Sequence, residues 1–288
     1  MSAEQIKTIG VIGAGVMGQG VSHQFAKHNY KIILIDIEDA ILETARQNIR
    51  NITRLDLLLN KGHNPTQGDL LNNITFSKDL SLLKDAEFII ENTTENIRIK
   101  EEVYAQLRSI VKEETCVAVN TSAVSITKIG SKLKNPKSVL GIHFMNPVHL
   151  KPTVEVIKGF HTAEETIQTA KDLLKSAKMT GVVVNDFPGF ISNRILMLTI
   201  NEAIFALQDG VAKVEDIDKI FRECFGHKMG PLETCDLIGC DTILYTLDVL
   251  FESYNDSKFR PAPLLRKMVD ANLLGRKNGE GFYNYTKN

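Results

Sequence analysis

Lys7-Thr-Ile-Gly-Val-Ile12 runs without a gap into Gly13-Ala-Gly15-Val16-Met17-Gly18, and the reading of this junction decides the fold. The first six residues are mostly apolar and Ile-rich, as in a strand buried on both faces. Residues 16–27 then carry Val16, Met17, Gly20, Val21 and Phe25 at helical spacing. A G-x-G-x-x-G between a strand and a helix has a mechanical meaning. Gly13 permits the tight turn, Gly15 lets a backbone approach a pyrophosphate, and Gly18 lets the helix pack close to the strand. The start of the helix, through Val16 and Met17, offers unpaired N–H groups to phosphates. Residues 31–36 form a second buried run, and Asp36 closes it about 20 residues beyond the glycines. A carboxylate there accepts hydrogen bonds from ribose hydroxyls and repels a 2′-phosphate. Ile37-Glu38 brings no arginine, so NAD is expected over NADP. A glycine turn without a ligand and an FAD site are the alternatives for the same residues.

Working outward, short apolar runs recur at 86–91, 115–120, 138–144, 153–157 and 180–185, with helical patterns between them. That alternation predicts an α/β, Rossmann-like, mainly parallel sheet. The long polar helical stretch 38–61, followed by 62–68 with Pro65, reads as an inserted helical hairpin. After Asp186 no convincing strand follows. Residues 190–208, 214–224 and 237–254 read as helices, and the tail is interrupted by Pro261, Pro263 and a glycine cluster at 275–281. The expected division is residues 1–185 as an NAD-binding domain and 186–288 as an all-helical substrate and dimerisation domain.

Composition narrows the function classes. The 288 residues are 43% hydrophobic and 24% charged, which excludes a disordered, coiled-coil or collagen-like chain. A net charge of −1 gives no basic surplus for nucleic acid. No apolar run approaches the ~20 residues of a membrane span. The first strand begins too early to leave room for a leader, and four cysteines suit a reduced, cytoplasmic protein. Cys224, Cys235 and Cys240 lack paired zinc-ligand spacing, so no metal is expected.

The reactive residue types gather at predicted strand ends, where open α/β sheets bind ligands. His143 ends a run in Gly141-Ile-His143-Phe-Met-Asn146-Pro147, placed for proton transfer near neutral pH. Glu155 lies inside the apolar run Thr153-Val-Glu155-Val-Ile157, where a carboxylate needs a partner. A histidine meets that need, because the carboxylate takes the proton on one ring nitrogen and leaves the other as a base. A core histidine and a separately satisfied glutamate fit the same spacing. Ser122, in Asn120-Thr-Ser122, is placed to bond a hydroxyl or carbonyl oxygen, or to cap the following helix. Asn193 falls in the first turn after Asp186-Phe-Pro188-Gly189, where its amide suits a substrate carbonyl or hydroxyl.

Taken together these blocks resemble the 3-hydroxyacyl-CoA dehydrogenase family, especially its single-function bacterial 3-hydroxybutyryl-CoA members. The tail adds Arg260-Pro-Ala-Pro-Leu-Leu265, Leu274-Gly-Arg-Lys277 and Gly281-Phe-Tyr283. The resemblance spans essentially the whole chain. It implies a His143–Glu155 catalytic pair with Ser122 and Asn193 around the reacting carbon. It implies NAD contacts from Asp36, Glu95, Lys100, Ser122, Asn146 and Lys277, and a homodimer formed through the helical domain. The substrate implied is an acyl thioester on CoA, as in fatty acid metabolism. Three stretches depart from the family pattern: Ala123 where a second serine is usual, Asn92-Thr93-Thr94 where small apolar residues are usual, and Lys151-Pro152-Thr153 where Met and Leu are usual. These look like the hydroxyacyl-carrier-protein dehydrogenases of polyketide extender-unit pathways. That subgroup implies a small polar acyl group, such as glyceryl, on an acyl carrier protein, with Asn92, Thr93, Lys151, Pro152 and Thr153 around a polar pocket. A non-catalytic dinucleotide-binding protein on this scaffold is the alternative of another class. A free 3-hydroxyacid dehydrogenase is disfavoured because Asn193-Arg194 stands where that group carries a lysine.

Overall fold

A computed structural model describes residues 5–59 and 70–286. The second arm of the expected hairpin, residues 62–68 with Pro65, lies outside the described residues. Contacts divide the chain into two compact units, Met1–Phe187 and Pro188–Asn288.

The first unit is built on an eight-stranded sheet: β1 (Thr8–Ile12), β2 (Lys31–Ile35), β3 (Ile74–Ser77), β4 (Phe88–Glu91), β5 (Cys116–Val119), β6 (Val139–His143), β7 (Thr153–Lys158) and β8 (Thr180–Asn185). The spatial order is β3-β2-β1-β4-β5-β6-β7-β8. All neighbouring pairs are parallel except β6 and β7. β4 and β5 are buried throughout, as central parallel strands must be when helices cover both faces. The helices are α1 (Val16–Lys27), α2 (Asp39–Leu59), α3 (Ile97–Ile110), α4 (Ile126–Gly130) and α5 (Glu164–Ser176). Ile9, Val11, Ile32, Leu34, Phe88 and Ile90 form the middle of the core under α1, with Val21 and Phe25 packed on them.

β3 is a strand that the sequence reading missed. It is four residues long, Ile-Thr-Phe-Ser, and only Ile74 is buried, so it carries little apolar signal. It pairs with β2 at the sheet edge.

The second unit contains α6 (Ser192–Gln208), α7 (Val214–Phe225), α8 (Pro231–Ile238), α9 (Cys240–Tyr254) and α10 (Pro263–Asp270). Its core includes Met197, Ile200, Ile204, Ile243, Leu247, Leu250 and Phe259. The expected single helix over 237–254 is two helices. They break at Gly239, whose φ of 108° is outside the helical range. Asp236, fully buried, receives the Phe282 and Tyr283 N–H groups at 2.9 Å and the Tyr285 hydroxyl at 3.1 Å. These bonds fasten the tail to α8. Burial pushes the Asp236 carboxyl up from its ordinary range, against the pull of those donors. Among the described residues no helix is long and apolar enough to cross a membrane.

Candidate active site

The glycine turn, Asp36, Ser122 and His143 lie at or just beyond the carboxyl ends of β1, β2, β5 and β6, and Glu155 reaches His143 from the antiparallel β7. Gly13 leaves β1 with a φ of 89°, and its N–H donates to the Ile35 carbonyl at 2.8 Å. A Cβ on Gly18 would fall on the Gly13 carbonyl oxygen, so α1 approaches the turn as closely as a backbone can. Gly15, the N-cap of α1, makes no side-chain cap, and a Cβ there would meet nothing within 4 Å. Val16 is exposed beside it and Met17 is partly buried against the core. The arrangement is an open helix start whose first N–H groups have no intrahelical partner. Asp36 follows β2. Its Oδ2 accepts the Ala14 N–H and its Oδ1 the Ile37 N–H, both at 2.7 Å. The donor geometry, the open face at Gly15 and the carboxylate at the end of β2 fit a dinucleotide with a free ribose 2′-hydroxyl.

Three strands further along, the antiparallel register sets His143 opposite Glu155. Directly opposed residues in an antiparallel pair lie side by side, so the strand pairing itself delivers the contact. His143 Nδ1 and Glu155 Oε2 are 2.8 Å apart, and both residues are buried. The other ring nitrogen, Nε2, lies 3.2 Å from Ser122 Oγ. Ser122 is held from the opposite side, because its backbone N–H donates to Glu95 Oε1, and Glu95 Oε2 accepts the Thr121 hydroxyl at 2.7 Å. Ser125, three residues on, is the residue that caps α4. Asn146 is exposed in the segment that follows β6.

Lys100 is fully buried in α3. Its ammonium donates to both Glu91 oxygens at 2.8 Å and to the Asn120 carbonyl at 3.2 Å. Glu91, also fully buried, accepts the Thr93 N–H at 2.6 Å and the Thr93 hydroxyl at 2.5 Å. The sequence reading did not foresee this pair. A signal existed: Lys100, Tyr104 and Leu107 share one face of α3, and all three are buried, so helical periodicity puts a lysine in an apolar stripe. Asn92 and Thr93, expected around an acyl pocket, are bonded inward, Asn92 to the Ile90 carbonyl and to Asn120, Thr93 to Glu91. Lys151, Pro152 and Thr153 are exposed.

Asn193 and Lys277 belong to the second unit. Asn193 is half-buried in the first turn of α6, and Lys277 in the tail pairs with Asp241 at the start of α9. The described residues contain no cluster of three or more His, Cys, Asp or Glu side chains able to hold a metal ion.

Comparison with known proteins identifies the family. The NAD-binding domain of 3-hydroxyacyl-CoA dehydrogenase matches residues 8–187, and its C-terminal domain matches residues 189–285. A probable 3-hydroxybutyryl-CoA dehydrogenase of Deinococcus radiodurans is 42% identical over 277 residues, covering 96% of this chain and 99% of that protein. The 3-hydroxybutyryl-CoA dehydrogenase of Bradyrhizobium diazoefficiens is 39% identical, covering 98% and 97% of the two chains. The crystal structure of (S)-3-hydroxybutyryl-CoA dehydrogenase from Ralstonia eutropha superposes with a TM-score of 0.94 at 36% identity, over 98% of this chain and all of that one. The NAD-binding and C-terminal matches together span nearly the whole sequence, and the chain belongs to the 3-hydroxyacyl-CoA dehydrogenase family.

Proposed function

We propose that this protein oxidises the 3-hydroxyl of a short 3-hydroxyacyl-CoA, 3-hydroxybutyryl-CoA being the type substrate, with His143 as the base. The observation that carries this reading is the buried His143–Glu155 pair at 2.8 Å, which leaves Nε2 facing Ser122. NAD, when bound, supplies the hydride acceptor for the carbon that carries the hydroxyl. Glu155 holds the proton on Nδ1 and so leaves the Nε2 lone pair directed at the substrate oxygen. Nε2 takes the hydroxyl proton as the C–H bond breaks, and the Glu155 carboxylate stabilises the imidazolium that results. The Ser122 hydroxyl, already within reach of Nε2, holds the same oxygen and limits its approach to one direction. In the reverse reaction the imidazolium returns its proton to that oxygen. Asn146, Asn193, Glu95, Lys100 and Lys277 are assigned by resemblance alone and are not used in this mechanism.

A butyryl group is preferred here over a glyceryl group for a physical reason. A polar acyl pocket needs free donors and acceptors, and the Asn92 and Thr93 side chains already bond within the protein. The helical unit exposes Ile195, Ile220, Phe225 and Tyr245. We infer that some of these exposed apolar side chains are covered by a second copy of the chain, which light scattering in solution tests. The activity test follows NADH absorbance with 3-hydroxybutyryl-CoA beside glyceryl thioesters on CoA and on a carrier protein. Formation of NADH from the butyryl substrate is the expected result. Activity confined to the glyceryl-carrier substrate would overturn the assignment of the carrier, and no activity on any thioester would overturn the reaction.

A further inference from the structure

The register of the parallel ladders ends just before the glycine turn and Ser122. The last pairs of the central ladders are Ile12 with Glu91, Glu91 with Val119, and Val119 with Gly141. Beyond them single main-chain bonds continue, from the Asn92 N–H to Ile12 and from the Asn120 N–H to Glu91, and His143 pairs with Glu155 across β6 and β7. Side-chain amides join these ends to one another. Asn120 Nδ2 donates to Asn92 Oδ1 at 2.7 Å, and Asn92 Nδ2 donates to the Ile90 carbonyl at 3.0 Å. On one side Asn92 meets the nucleotide turn. Its N–H donates to the Ile12 carbonyl at 2.7 Å, and a Cβ on Gly13 would lie 2.7 Å from its carbonyl oxygen. On the other side Asn120 Oδ1 accepts the N–H of Phe144, the residue after His143, at 3.2 Å. The Asn120 N–H donates to the Glu91 carbonyl at 2.8 Å, and its carbonyl accepts from Lys100 at 3.2 Å. Each polar atom of Asn120 is therefore engaged.

We propose that Asn92 and Asn120 form a positioning relay for the dehydrogenation: their paired amides tie the nucleotide turn to the strand end that carries His143. The inference rests on the reading of His143 as the base. Neither asparagine touches the reacting atoms. Their effect is on distance and angle, and a misplaced reacting group loses rate without losing affinity. The pair also acts as a unit. With no acceptor at position 92, the buried Asn120 amide N–H loses a partner that nothing else in the relay replaces.

The test uses Asn92→Ala and, as a second variant, Asn120→Asp. The aspartate keeps the acceptor for the Phe144 N–H and removes the donor to Asn92, so both variants break the same bond. Asn92→Ala should lower kcat by about 10- to 100-fold while KM for NAD and thioester stays within about twofold. The isotope effect from deuterium on the hydroxyl-bearing carbon should grow, because chemistry then limits turnover. The double variant should be no slower than the slower single one, the signature of a shared interaction. A readout independent of activity is the ring-nitrogen NMR signal of His143 in the ligand-free protein, which should shift or broaden in Asn92→Ala while that of the exposed His161 stays put. An unchanged kcat with an unchanged His143 signal overturns the relay. So does a fall in melting temperature with no change in either readout. A loss confined to KM, varying with acyl length, also overturns it and assigns Asn92 to substrate contact. If the unaltered protein forms no NADH from any thioester, the reaction assignment fails, and the His143 signal still decides whether the relay holds that side chain.

Discussion

A fully buried lysine persists only where the protein replaces the water it has lost. Lys100 meets that condition through both Glu91 oxygens and the Asn120 carbonyl. Removing the cation leaves Glu91 charged, buried and bonded only to Thr93. Lys100→Met should therefore cost about 3–5 kcal/mol of stability, read by denaturant titration, and the double change Glu91→Gln/Lys100→Met should recover much of it. A loss of NAD affinity with unchanged stability would show instead that Lys100 acts on the cofactor directly. Asp36 makes a different kind of prediction. It holds the Ala14 and Ile37 N–H groups, and a carboxylate at the end of the second strand of a dinucleotide fold disfavours a 2′-phosphate. Asp36→Ser with Ile37→Arg should narrow the preference for NAD over NADP, measured as the ratio of kcat/KM for the two. Equal use of both cofactors by the unaltered protein would contradict the role given to this carboxylate.

At the scale of elements, α1 carries a buried histidine that the sequence left without a role. His23 faces Asp56 of α2, with Nε2 3.8 Å from its carboxylate, and lies edge-on to His149. Lys27 binds the same carboxylate at 2.5 Å. Neither His23 nitrogen has a hydrogen-bond partner among the described residues. Burial pulls the His23 pKa down to about 4, Asp56 opposes the shift, and Lys27, His149 and His28 add to it. The folded protein therefore keeps His23 neutral at pH values where the unfolded chain, with a histidine pKa near ~6.5, binds a proton. Stability from this group is fully present above about pH 6.5 and falls as pH drops toward about 4, by up to about 3 kcal/mol. Melting temperatures from pH 7 to pH 4 should show that slope, and His23→Leu should flatten it. A slope unchanged in His23→Leu would assign the acid sensitivity elsewhere.

The glycine turn before α1 was legible in the sequence, and other features were legible only in part. The glycine turn could be read because each glycine answers a local backbone demand. The His143–Glu155 pair was legible as a histidine at a strand end and a carboxylate inside an apolar run, but the register that joins them depends on β7 running antiparallel to β6. Nothing within either segment states that direction. The Lys100–Glu91 pair needed helix periodicity and strand position to be read together. The break at Gly239 was hidden because apolar residues continue across it on both sides, from Leu237 to Leu244.

For the whole molecule, the first unit carries an open glycine turn, Asp36 after β2 and a buried histidine–glutamate pair on one sheet, the groups on which the proposed proton removal beside a dinucleotide rests. The second unit contributes a helical core with its tail fastened by Asp236. In the proposed reaction His143 removes the hydroxyl proton. The most direct measurement compares the unaltered protein with His143→Gln, following NADH formation from 3-hydroxybutyryl-CoA and NAD affinity by titration. NAD affinity should be unchanged and turnover lower by about 10²- to 10⁴-fold, the range of general acid–base catalysis. A His143→Gln protein that turns over within about threefold of the original, with the isotope effect showing that chemistry limits both, would contradict it.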